Sequence, residues 1–206
     1  MKIYFFQKVV YKLVSLFIVF PISKLIFKGR LVGKQNIPLK GSFILVSNHG
    51  SLLDPPLLGH ALGRNISFMA KEELFRIPLL GFIIRACGAY PVKRGIPDKI
   101  TIKIACKKLL NNNSIGIFID GTRQKNGRVN KPKDGAALLS FKNQKILLPV
   151  AIINSHKLVR FRFCLPFFTK ILIKVGKPIQ PPESASKEAL KSVTNNLQEN
   201  INKLIG

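Results

Sequence analysis

The chain predicts an α/β fold, a largely parallel central sheet flanked by helices, preceded by an N-terminal amphipathic, membrane-associated helical segment. Three observations predict it. From about residue 31, short apolar runs of strand length alternate with longer segments of helical character. Gly, Asn and Pro mark most of the junctions between them. The first thirty residues depart from this pattern and are apolar and basic. A chain of 206 residues suffices for one domain with a sizeable core and leaves little room for a second. At 47% hydrophobic and 21% charged, the composition is not that of a disordered chain. Residues 1–28 are therefore expected to form an interfacial membrane-binding segment, and 29–206 the α/β domain.

In "MKIYFFQKVVYKLVSLFIVFPISKLIFKGR" the longest charge-free run lies between Lys12 and Lys24 and contains Pro21. A bilayer span needs about 20 apolar residues, so this run is too short to cross alone. No small-x-small cleavage site follows it. On a helix, Lys8, Lys12 and Ser15 share one stripe. Phe5, Phe6, Val9, Val10, Leu13, Phe17 and Ile18 fill much of the remaining circumference. Such an arc is too wide for one protein contact and suits a helix lying among lipid headgroups. Each lysine there contributes about 1 kcal/mol toward an anionic surface. The alternatives are a helix docked on the protein's own core, or a signal-anchor span extended past Lys24.

The remaining elements follow in order. "GSFILVS" (41–47) reads as a strand ended by Asn48. Asp54 followed by Pro55 has the form of an N-cap with proline at the first helical position, opening a helix to about Leu62. "NISFMA" is a strand, and "EELFRIPLLGFIIRACG" one or two short helices broken near Pro78. "AYPVK" is strand-like. Pro97 and Asp98 open a helix through about Leu110, which "NNN" stops. "SIGIFI" is a strand ending at Asp120-Gly121, "KDGAALLSFKN" a helix of small residues, and "KILLPVAII" a buried strand. "VRFRFC" and "KILIKVG" read as a closing hairpin, and residues 184–204 as a polar C-terminal helix.

Charge narrows the partners. Thirty-four Lys and Arg oppose nine Asp and Glu, a formal net of +25, and no acidic residue occurs in 1–53 or 135–182. Such a field attracts polyanions: nucleic acid, anionic lipid or phosphorylated substrates. A Lys-rich genome would account for part of it. No recognised nucleic-acid motif is present, and the aromatics are mostly Phe within apolar runs, so nucleic acid is not the expected partner. Cys87, Cys106 and Cys164 show neither CxxC nor zinc spacing and read as buried, reduced thiols. His60 and His156 lack a partnered spacing and read as ordinary loop or surface residues. No metal site and no cofactor is expected.

Chemistry concentrates in three stretches. "SNHGSLLDPP" (47–56) lies at a strand-to-helix junction, the strand end where α/β proteins commonly place their sites. His49 there is a candidate general base, since imidazole titrates near working pH. Asp54 is its candidate orienting carboxylate, in the manner of a triad without its serine. The alternative is a helix cap beside a solvated histidine. "FIDGTRQKNGR" (118–128) follows a strand directly. Its Gly121-Thr122 turn exposes backbone N–H groups, and Arg123 supplies a planar cation suited to phosphate oxygens. "GAYPVKRG" (88–95) ends a strand with Lys93 and Arg94. Together these describe a base beside an anion site on one rim of a sheet.

The chain resembles the glycerolipid acyltransferases that acylate lysophosphatidic acid. The family's N-H-x4-D block matches Asn48, His49 and Asp54, followed by Pro55. Its G-x5-R block matches Gly88 and Arg94. Its F-P-E-G-T-R block matches Phe118, Gly121, Thr122 and Arg123, and its apolar-Pro-Val-Ala-Ile block matches Leu148, Pro149, Val150, Ala151 and Ile152. Four blocks in order over roughly residues 30–180 make a specific signal. There are departures. Ile119 stands for the family's proline, Asp120 for its glutamate, and Gly50 where a longer polar residue is frequent.

The resemblance implies acyl transfer from acyl-ACP or acyl-CoA to the free sn-2 hydroxyl of lysophosphatidic acid, giving phosphatidic acid. His49 would take the hydroxyl proton, with Asp54 orienting it and no acyl-enzyme formed. Arg94, Gly121, Thr122 and Arg123 would bind the acceptor phosphate. Asn48, Gly88, Asp120 and Pro149 would support the site, and a backbone N–H before Arg123 would serve the developing oxyanion. The implied location is peripheral or monotopic, on the cytoplasmic face of the cell membrane. The open alternatives are another lysolipid acceptor, or a non-enzymatic protein that binds anionic lipid or nucleic acid.

Overall fold

The computed structural model describes residues 2–92, 99–159 and 169–206. Among these residues, seven strands form one sheet: β1 (Arg30–Val32), β2 (Ile44–Ser47), β3 (Ile66–Lys71), β4 (Tyr90–Val92), β5 (Ser114–Phe118), β6 (Leu147–Ile153) and β7 (Leu172–Val175). Their order is β1-β7-β6-β2-β5-β3-β4. Among these seven strands only the β6–β7 pairing is antiparallel, so the sheet is largely parallel as expected.

Alternation along the strands assigns the two faces. Phe43, Leu45, Phe68, Leu148 and Val150 pack on one face with Leu57 and Leu58 of α2 (Asp54–Leu62) and with Phe27. Ile44, Val46, Ile115, Ile117, Leu147 and Ala151 pack on the other. There they meet Ala105 and Leu109 of α4 (Lys99–Leu110), Ala136 and Leu139 of α5 (Gly135–Asn143), and Leu197 and Ile201 of α6 (Lys187–Ile205). β2 pairs with β5 and β6 and is buried at all four positions. The residues that follow it leave the sheet at the centre of one rim.

α3 (Pro78–Ala86) follows a 3₁₀ turn at Glu72–Arg76, the break expected near Pro78. The helix expected from Pro97 is described from Lys99 onward, and residues 93–98 lie outside the described residues. "VRFRFC", the first arm of the expected hairpin, falls almost entirely outside them. Its second arm is β7, which joins β6 and also pairs in parallel with β1.

The N-terminal segment docks on the body of the protein along part of its surface, the alternative weighed above. α1 (Lys2–Val14) continues through π-helical turns at Ser15–Val19 and Ile22–Ile26, on either side of Pro21, which has no N–H to give the helix. Tyr11 donates its hydroxyl to the Arg64 carbonyl at 3.0 Å, and Ser15 Oγ meets His60 Nδ1 at 2.8 Å. Val19 and Phe27 are buried in the core. The outer side still exposes Leu13, Leu16, Phe17 and Phe20. No described helix is long and apolar enough to cross a membrane.

Candidate active site

The rim site begins at Asn48, which is fully buried. Its Oδ1 accepts from the Ile152 N–H at 2.9 Å, and its Nδ2 donates to the carbonyls of Ile152 (2.8 Å) and Gly127 (2.7 Å). One amide thus ties the end of β2 to β6 and to the loop after β5. A buried polar side chain satisfied at each end fixes the backbone on both sides of it.

His49 follows and is 6% exposed. Its Nδ1 lies 2.8 Å from Asp54 Oδ2. The same oxygen accepts the backbone N–H groups of Gly50 (2.7 Å) and Ser51 (2.8 Å). Two backbone N–H groups already donate to this oxygen, so it faces His49 as an acceptor and Nδ1 is the ring nitrogen that donates to it, which leaves Nε2 as the nitrogen turned away from Asp54. This corrects the cap reading of Asp54. Helix α2 begins at Asp54 itself, with Leu53 in the cap position and no side-chain cap bond. The carboxylate looks back into the loop that precedes it, because that loop supplies the donors. His49 is accordingly not a solvated loop residue.

The loop after β5 closes the site. Ile119 donates its N–H to the Ser47 carbonyl at 3.1 Å and is buried in the core. A proline at this position would lack that bond. Asp120 is buried, and its carboxylate accepts the N–H groups of Asn130 (3.1 Å) and Lys131 (2.6 Å), folding residues 121–131 back on themselves. Burial pushes its carboxyl above the usual carboxylate range, against those two N–H groups and Lys133. Gly121, at φ 70°, takes the left-handed turn conformation, and its N–H is spent on the Phe118 carbonyl. Thr122 and Arg123 are exposed at the tip. Gln124 donates its N–H to the His49 carbonyl at 2.8 Å, so Arg123 is one residue from a direct backbone bond to the histidine loop.

Other predicted residues lie elsewhere. Gly88 packs near Ser67, early in β3, at the end of the strands opposite His49. Pro149 stands within β6 opposite Val46, and its carbonyl accepts the Gly176 N–H at 2.9 Å. Arg94 and Lys93 lie outside the described residues. β4, which precedes them, is the edge strand three spacings from β2, roughly 14 Å.

Two histidines read as ordinary have definite places. His60 joins α2 to the N-terminal segment. His156 packs beside the site. A Cβ on Gly127 would lie 2.3 Å from its ring, and one on Gly50 only 2.6 Å from its backbone nitrogen. The missing side chain at Gly50 is therefore the space that the turn at Ser155–Val159 occupies. No pattern in the sequence relates positions so far apart.

Cys87 and Cys106 are free thiols, partly buried, and burial pushes the Cys87 thiol up to about 11, outside nucleophilic range. Cys164 lies outside the described residues. A cavity of about 490 Å³ lined by Lys40, Arg64, Asn65, Asn112 and Ser114 opens at the opposite end of the strands, away from His49. No cluster of metal-ligating side chains occurs among the described residues.

The acyltransferase family model matches residues 28–153, from the end of the N-terminal segment to the end of β6. A 1-acyl-sn-glycerol-3-phosphate acyltransferase of Bacillus subtilis is 30% identical over 184 residues, 85% of this chain and 87% of that protein. Proteins of the same name from Arabidopsis thaliana chloroplasts and Borreliella burgdorferi are 31% and 30% identical over 65% and 61% of this chain. The chain spans 38% and 51% of their respective lengths. Among solved structures, the 1-acyl-sn-glycerophosphate (LPA) acyltransferase PlsC of Thermotoga maritima is similar with a TM-score of 0.78 at 28% identity, over 94% of this chain and 78% of that one. A family match across more than half the chain, with a relative aligned along most of both lengths, shows that this protein belongs to the acyltransferase family.

Proposed function

We propose that this protein transfers an acyl chain from a thioester donor, acyl-ACP or acyl-CoA, to the free sn-2 hydroxyl of lysophosphatidic acid, giving phosphatidic acid. The observation that carries this reading is the buried His49–Asp54 pair at the centre of the rim. Nε2 of His49 takes the acceptor's proton as its oxygen attacks the thioester carbonyl. Asp54 stabilises the imidazolium that forms. The tetrahedral adduct collapses with loss of thiolate, which recovers the proton from Nε2 as free thiol. No protein nucleophile takes part, so acyl donor alone should leave no label on the chain.

The acceptor phosphate is assigned to Arg123 and Thr122, on the turn that Gly121 shapes with its own N–H already bonded to Phe118, joined by Arg94. Asp120 and Asn48 hold the loops that carry this machinery. Orientation of bound partners supplies at best about 7–11 kcal/mol, more than proton transfer alone. The substrate and product are bilayer lipids, so the enzyme is taken to attach to one face of the membrane, the cytoplasmic one. The exposed apolar residues of the N-terminal segment support attachment. So do Leu79 and Phe82 of α3, against which α1 packs, and the net charge of +25.

Replacing His49 by Ala tests the reading. Turnover of lysophosphatidic acid in anionic vesicles should fall by about 10²–10⁴, with circular dichroism and vesicle binding unchanged. A protein that only binds anionic lipid would lose nothing, and wild-type turnover in the variant would end the assignment.

A further inference from the structure

Among the described residues, the proposed base is gripped at one nitrogen, Nδ1. The contact from Nδ1 to Asp54 fixes one direction in the imidazole and leaves the ring able to tilt about it. A second contact fixes the tilt. Phe118, the last residue of β5, lies against His49 with ring centroids 3.9 Å apart and 13° between the planes. Behind it, Phe68 of β3 stacks on Phe118 at 5.4 Å and 21°. The three rings form a row from the loop after β2 across β5 to β3, three neighbours in the sheet. The outermost ring has its own seat. A Cβ on Gly116 of β5 would lie 2.2 Å from the Phe68 ring, so only glycine lets that ring lie across the strand. Phe68 is itself buried, which closes the far end of the row.

We propose that Phe118 is a positioning residue for acyl transfer: its ring, backed by Phe68 over Gly116, sets the plane of the His49 imidazole and so aims Nε2 at the acceptor hydroxyl. The inference rests on the acyl-transfer reading above. An imidazole tilted out of this plane keeps its Asp54 bond but directs its lone pair elsewhere, and small errors of aim weigh heavily on the rate. The aromatic face gains a second use once the proton arrives, because a cation over a π face is attracted to it. Leucine matches much of the bulk of phenylalanine but offers neither a flat surface nor that field.

The experiment uses the full chain with acyl donor and lysophosphatidic acid in anionic vesicles. Phe118→Leu should lower kcat roughly ten- to a hundred-fold, with KM for either substrate within about twofold, the signature of lost aim rather than lost binding. Phe118→Tyr, which keeps the face, should recover most of the rate. In proton NMR the His49 ring resonances, shielded by the stacked ring, should move downfield in Phe118→Leu and stay in place in Phe118→Tyr. Phe68→Leu should shift kcat and the resonances the same way by less, and it carries the test should Phe118→Leu not fold. Full kcat in the leucine variants, unmoved His49 resonances, or equal loss in Phe118→Tyr would each overturn the proposal. Failure of the acyl-transfer reading looks different: the wild type shows no turnover, or His49→Ala keeps it, while the His49 resonances of the wild type and of Phe118→Leu still report the stack.

Discussion

Asp120 shows how one side chain can carry a loop. It is one methylene shorter than the glutamate of the family pattern, and it uses its oxygens on Asn130 and Lys131 within its own loop. Because burial raises its carboxyl, the folded state holds that proton more firmly than the unfolded chain does. Its ionisation therefore costs stability as pH rises through the folded value, and the two backbone bonds offset part of that cost. Asp120→Ala should leave two N–H groups without their acceptor. We expect a loss of about 1–3 kcal/mol in denaturant unfolding, with KM for the phosphate-bearing acceptor rising more than kcat falls. An unchanged midpoint would mean that the loop is held by other bonds. His49 and Asp54 were legible in the sequence because their spacing and strand-end position are local features. The stacking of Phe118 was not, since the sequence shows an aromatic at a strand end but not what lies across the sheet from it.

At the scale of elements, the N-terminal segment and α2 meet through His60. Burial, with Lys24 nearby, holds His60 below the ordinary histidine range. Ser15 bonds its Nδ1, and the Phe20 ring meets its ring at 62° with centroids 5.8 Å apart. For a base whose folded pKa is lowered, the unfolded chain binds more protons, so stability rises with pH. The contribution is complete above about pH 6.5 and is lost as pH falls below it. Thermal midpoints should therefore drop on acidification from about pH 7 to 5, and His60→Gln should flatten part of that slope. An identical slope in the variant would remove His60 from the account. Most elements were readable from alternation and from Gly, Pro and Asn punctuation. β1 was not: its three residues carry no usable period, and its partner β7 lies some 140 positions further along the chain.

For the whole molecule, the proposed membrane face combines two elements. Phe17 is 69% exposed on the N-terminal segment, and Phe82 is 60% exposed on α3. Deleting residues 1–28 would also remove the buried Val19 and Phe27 and open the core, so surface substitutions give the cleaner test. Phe17→Glu with Phe82→Glu should weaken binding to anionic vesicles at least about tenfold, given roughly 1.5–3 kcal/mol per buried aromatic side chain. The unfolding midpoint should stay in place. Added salt should weaken the wild type as well, because the lysines act through a screened field. Binding that survives both changes would move the membrane contact to another surface.

The sequence by itself determined the alternation of strands and helices, the excess of positive charge, the family blocks and the pairing partner of His49. Each is written in neighbouring residues, where spacing alone conveys geometry. Only the tertiary structure decided that Asp54 serves the loop behind it rather than a helix end, that the N-terminal segment packs on α2 and α3, and that Gly50 makes room for His156. It alone stacked Phe118 on His49. The Asp54 bonds are short in sequence, but their direction depends on how the loop leaves the sheet; the other contacts join residues far apart in the chain, and no local pattern encodes which side chains will meet.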